Sequence, residues 1–204
     1  MDDIIKELLI RSKYVDEIAD TQRNTETKTK KSIIFALGDK SRKYFEDELS
    51  QGGGDQGIAS SIQVIWNSEN NIDILFLDKL QYLFMYLTKF EVTSVKSFEY
   101  QNVIIFGLDD MIINYDNAGL TTSKLKNSQS EDANVNVGEI KVATLNVEQL
   151  RLLNLIYNIA YKTKYTQNIN LVFVPVCADN LDHNHENLLM QLQKIQKYWE
   201  SLFD

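Results

Sequence analysis

The residues best equipped for chemistry sit in three short stretches. His183 and His185 are the only histidines, in the run Asp182-His183-Asn184-His185-Glu186, with Cys177 and Asp179 just upstream. Imidazole, thiolate and carboxylate are the ligands zinc takes, and a thiol beside an imidazole is the arrangement of a cysteine nucleophile. The set has neither a Cys-x-x-Cys pair nor a His-x-x-x-His pair, so a solvated polar loop over 178–186 accounts for it better. Asp109 and Asp110 follow the apolar run Val103-Ile104-Ile105-Phe106. In nucleotide-binding sheets such a strand ends in an acid that holds hydrated magnesium. Here the next residue is Gly107, and the two aspartates fall where a turn or a helix cap is their ordinary use. Gly38-Asp39-Lys40-Ser41 has the residue types of a phosphate loop in the wrong arrangement, and no Gly-x-x-x-x-Gly-Lys-Ser/Thr occurs. The cluster Gly52, Gly53, Gly54 and Gly57 follows a helix pattern and precedes a strand pattern, the reverse of a phosphate cradle. These residues give no working site for nucleotide hydrolysis. No cofactor and no metal is expected.

Two further groups suit binding. Lys124, Lys126 and Lys141 flank a polar stretch over 116–141 that reads as a mobile loop. Lysines on such a loop can neutralise DNA phosphates, although Glu131, Asp132 and Glu139 share it. In the last helix pattern, Leu188, Leu192, Ile195, Trp199 and Leu202 recur at 4-3-4-3 spacing with Phe203 beside them. Such a stripe packs on its own sheet, and its large aromatics also suit a partner surface. The candidate partner interface is Ile195, Tyr198, Trp199, Leu202 and Phe203.

The elements that position these residues follow from apolar patterning. Helices are expected over 3–20, 41–49, 73–90, 146–162 and 187–203. Buried strands are expected over 32–37, 62–66, 102–106 and 171–174, the last closed by Pro175. The alternation predicts an α/β fold with a largely parallel sheet, whose ligands would lie beyond the carboxyl ends of the strands. The 204 residues suit one domain spanning 1–204, with an N-terminal helix and linker over 1–31. A single cysteine rules out an intramolecular disulfide and fits the cytosol or nucleus. No apolar run approaches the ~20 residues of a membrane span. The net charge of −8 argues against a free-standing DNA binder, so DNA contact would come from local patches or through a partner.

The order of segments from Ser32 to Val176 resembles the RecA-like core of the eukaryotic recombinase paralogues. Residues 32–39 look like the strand after the P-loop helix. Residues 62–90 look like the next strand and its leucine-rich helix. Residues 102–115 look like the magnesium-carboxylate strand, with Gly107 where the acid would be. Residues 146–176, a Leu-Arg-Leu-Leu-Asn-Leu helix followed by Asn-Leu-Val-Phe-Val-Pro-Val, look like the helix and strand before the second DNA-facing loop. The residues before Ser32 are too few for that family's P-loop and its strand. With this departure the chain most resembles the RecA-like subunits of the fungal Shu complex, an ATPase-dead branch, and its tail Lys-Tyr-Trp-Glu-Ser-Leu-Phe-Asp is similar to one of them. The resemblance implies a truncated RecA-like core without a P-loop. It also implies a nuclear, non-catalytic role in homologous recombination and error-free damage tolerance. The partners it implies are a second RecA-like subunit in a heterodimer, a recombinase, and single-stranded or forked DNA. By position, residues 114–141 and 177–186 would be the two DNA-facing loops, and the second holds no Lys or Arg. The rival readings are a metal-dependent enzyme on a Rossmann-like core, using Asp109 and Asp110 or Cys177 and His183, and a scaffold unrelated to DNA.

Overall fold

A computed structural model describes residues 31–48, 71–93, 98–114, 144–176 and 183–203, together with residues 4 and 69 singly. Four strands form one sheet: β1 (Lys31–Leu37), β2 (Ile72–Leu77), β3 (Tyr100–Phe106) and β4 (Asn170–Val174). The helices are α1 (Gly38–Lys43), which widens into a π-helical turn over Tyr44–Glu48, then α2 (Leu80–Val92), α3 (residues 108–114), α4 (Val147–Gln167) and α5 (His183–Phe203). The strand order is β2-β1-β3-β4 and every pairing is parallel. The expected α/β parallel fold is therefore what the chain adopts, in a form consistent with a truncated RecA-like core.

The two faces of the sheet follow from strand alternation. Ile33, Phe35, Leu37, Val103 and Ile105 point to one face, where they meet Leu80, Leu83, Leu87 and Phe90 of α2, Leu153, Ile156 and Tyr157 of α4, and Leu188 and Leu192 of α5. Ile34, Ile104 and Phe106 point to the other, against Tyr44 and Phe45 beyond α1, and Ile4. Right-handed crossovers give this division. The connection from β1 to β2 moves one way along the sheet, and those from β2 to β3 and from β3 to β4 move the other way. The central strands β1 and β3 are buried over almost their whole length, which is why they read as unbroken apolar runs.

One expected element is corrected. The helix expected over 73–90 is a strand over Ile72–Leu77, a two-residue turn at Asp78 and Lys79, and a helix from Leu80. The carboxyl end of this strand is at Asp78. The run Ile-Asp-Ile-Leu-Phe-Leu suits either period, and six consecutive partners on β1, from Ser32↔Ile72 to Leu37↔Leu77, decide it. The expected strand at 62–66 and helix at 3–20 lie outside the described residues, Ile4 apart. The polar loop expected to reach Glu186 is also shorter, because α5 begins at His183.

Candidate functional site

In an open parallel sheet the ligand crevice forms where two adjacent strands send their connections to opposite faces. Here that point lies between the carboxyl ends of β1 and β3. Each strand ends in a glycine with a left-handed backbone, Gly38 at φ 76° and Gly107 at φ 86°. These turns bring α1 and α3 so close that little space remains. A Cβ on Gly107 would stand 2.0 Å from the Ser41 hydroxyl oxygen and 2.7 Å from the Leu37 carbonyl oxygen. Ser41 is fully buried and its hydroxyl donates to the Phe106 carbonyl at 3.2 Å, tying α1 to the end of β3. Lys40 closes the top with a 2.9 Å ion pair to Asp110, whose side chain is 1% exposed. Asp109 accepts from the Val176 amide at 3.0 and 3.1 Å and so pins the end of β4.

The sequence motifs take on definite roles in this arrangement. Gly38-Asp39-Lys40-Ser41 opens α1, and its lysine and serine bind the protein itself. Asp109 and Asp110 stand in the first turn of α3, each engaged by a neighbouring segment. Gly107 is where it is because no side chain fits there. The Ser41 tie was not legible in sequence: it joins residues 65 positions apart. Among the described residues no three His, Cys, Asp or Glu side chains converge as metal ligands. His183 and His185 fall in the first turn of α5, and Cys177 and Asp179 lie outside the described residues.

One strand further along, a cavity of about 530 Å³ opens beyond the end of β4, lined by Tyr157, Phe173 and Pro175 and by Gln193, Gln196 and Lys197 of α5. Burial holds the Tyr157 phenol far above the ordinary tyrosine range, with smaller contributions from Tyr161 and Asp109, so it stays neutral.

The candidate interface on α5 divides in two. Ile195, Trp199 and Phe203 turn inward onto the core. Trp199 donates from Nε1 to Asn154 Oδ1 at 2.9 Å, and Phe203 stacks on Tyr161 at 6.3 Å. Tyr198 and Leu202 face out, 57% and 54% exposed. Leu155 of α4 is also exposed. Lys124, Lys126 and Lys141 lie outside the described residues.

With this geometry in view, a sequence model of the family described as "SHU1: Suppressor of HU sensitivity involved in recombination protein 1" matches residues 13–204. The chain belongs to this family. A relative of that same description from Saccharomyces cerevisiae (strain ATCC 204508 / S288c) is 29% identical over 85 residues. That match takes in 41% of this chain and 53% of the relative, so the chain spans about half the length of the relative it matches. The resemblance to a Shu complex subunit is thereby upheld, and with it a connection to recombination.

Proposed function

We propose that this chain is a non-catalytic subunit of a heteromeric recombination-mediator complex. In this reading it pairs with a second RecA-like subunit and helps a recombinase assemble on DNA, in homologous recombination and error-free damage tolerance in the nucleus. The observation that carries the reading is the closed switch point. Ser41, Gly107 and the Lys40–Asp110 pair occupy the place where a sheet of this order holds a nucleotide. A family named for recombination whose sheet fills its own ligand crevice is better suited to assembly than to hydrolysis. The outward face of α5 supplies an apolar surface for assembly. Lys124, Lys126 and Lys141 are the proposed DNA contacts, made jointly with the partner because the chain is acidic overall.

The test is reconstitution. The full chain, co-expressed with a candidate RecA-like subunit, should co-purify as a stoichiometric pair that binds forked or single-stranded DNA. Changing the three lysines to alanine should weaken that binding at least tenfold, flatten its salt dependence and leave the pair intact. A stable monomer that captures no RecA-like protein would contradict the proposal. So would metal-dependent turnover lost in Asp109→Ala, which would favour the enzyme reading.

A further inference from the structure

At the opposite end of the sheet, the amino-terminal halves of β1 and β2 and the start of β3 enclose a second cavity of about 470 Å³, under the last turn of α2. This is within the range of about 300–1,000 Å³ typical of binding pockets. Its walls are aromatic, formed by Tyr86, Phe90, Phe98 and Tyr100. Phe90 meets Phe98 edge-on at 5.2 Å and Tyr100 at 5.6 Å, and Phe98 meets Tyr100 at 5.9 Å. The rings form one continuous lining in place of scattered contacts.

Two of the three charged residues in this lining are acidic, and the third is Lys89. Asp73 and Glu99 contribute carboxylates. Glu99 pairs loosely with Lys31 at 3.6 Å. Asp73 accepts a 2.9 Å hydrogen bond from the Tyr100 hydroxyl, and among the described residues no Lys or Arg lies within ion-pair distance of it. Burial, the hydrogen bond to Asp73 and the charges of Asp73 and Glu99 push the Tyr100 phenol up to about 12. At neutral pH it is therefore a fixed donor and adds no charge. The carboxyl end of the 13-residue α2 borders the cavity through Lys89, Phe90 and Thr93, and its carbonyls already accept from the Thr93 amide and hydroxyl and from Gln167. Lys89 is exposed.

Negative ring faces and the Asp73 and Glu99 carboxylates together favour a cation. A guanidinium fits better than an ammonium, because it stacks flat on rings and presents paired donors to a carboxylate. A free amino acid fits poorly, since its α-carboxylate would face Asp73 and Glu99. We propose that this cavity receives an arginine side chain of a partner protein, with its guanidinium on Asp73 and its plane against the aromatic wall. The proposal is independent of the role in recombination: it concerns what this surface recognises, whatever complex the chain serves.

The test uses the full chain and three blocked residues, N-acetyl-N-methylamides of arginine, lysine and citrulline, followed by amide chemical shifts. Blocked arginine should bind saturably, with shifts centred on Asp73, Tyr86 and Phe98. Citrulline, which keeps the shape and loses the charge, should bind at least tenfold more weakly, and lysine should fall between them. Asp73→Asn keeps an acceptor for Tyr100 and should lose at least tenfold in arginine affinity. Tyr86→Leu, which removes part of the wall and no charge, should lose severalfold and guards against an Asp73 variant that fails to fold. Equal binding of citrulline and arginine would overturn the proposal. Unchanged affinity in both variants, tighter binding of free arginine than of the blocked residue, or no saturable binding would do the same.

Discussion

Gly107 concentrates the argument at the scale of single residues. In a nucleotide-binding sheet this position is the natural one for a metal carboxylate, and here its φ of 86° and the 2.0 Å approach to Ser41 exclude any side chain. Ser41 and Gly107 therefore depend on one another. Gly38 has a similar backbone, at φ 76°, yet among the described residues a Cβ there would meet only Asp110, at 3.4 Å. The two glycines separate backbone strain from steric exclusion. Gly38→Ala should cost about 1 kcal/mol, the ordinary penalty of a left-handed non-glycine. Gly107→Ala should cost about 3 kcal/mol or more, since the Leu37 carbonyl cannot move away as a side chain could. Denaturant unfolding of both variants measures the difference, and equal losses would mean that the ends of β1 and β3 are not packed as closely as described.

Elements were legible to the degree that burial fixed their pattern. β1, β3 and β4 read directly from apolar runs ended by Gly38, Gly107 and Pro175, and for the buried β1 and β3 the reason is that buried parallel strands need no alternation. The helix from Val147 also reads from its apolar spacing, and the structure adds a cap at its start. Asn146 Oδ1 accepts from the Gln149 amide at 2.8 Å while Gln149 Oε1 accepts from the Asn146 amide at 2.7 Å, a reciprocal cap visible as Asn-x-x-Gln. β2 was not legible. Nothing in Ile72–Leu77 distinguishes a strand from the first turns of the helix that follows, and only pairing with β1 does so. The closed switch point was invisible for the same reason: Ser41 to Phe106 and Lys40 to Asp110 are contacts across the fold, with no spacing that announces them. The cap gives a measurable consequence for the element. Asn146→Ala leaves the Gln149 amide without its acceptor and should lower stability by about 1 kcal/mol. For a chain of this length that is roughly 2–4 °C in melting temperature, whereas Asn146→Ser, which keeps a capping oxygen, should recover most of it.

For the whole molecule, α5 carries the proposed partner surface. Its inward residues are already used: Trp199 holds Asn154, Phe203 stacks on Tyr161, and Ile195 packs on the core. They cannot also be the anchors of a partner without leaving their own fold. Tyr198 and Leu202 can, because more than half of each is exposed and Tyr198 stands edge-on against Trp199 at 5.6 Å, which holds it in place. Tyrosine is among the residues enriched in interface hot spots, and the exposed Leu202 adds apolar area to the same surface. The candidate set of five residues therefore resolves into two that face outward and three that support them. Tyr198→Asp combined with Leu202→Asp should leave the unfolding free energy within about 0.5 kcal/mol of the parent, as surface changes do. The same change should weaken the proposed heterodimer at least tenfold, or about 1.4 kcal/mol. Trp199→Ala should instead lower stability, on the order of 2 kcal/mol, since it removes a ring packed on α4 together with its hydrogen bond. Chemical unfolding of the isolated chain and titration of the partner separate the two outcomes. An aspartate pair that binds the partner as well as the parent chain does would move the interface off α5.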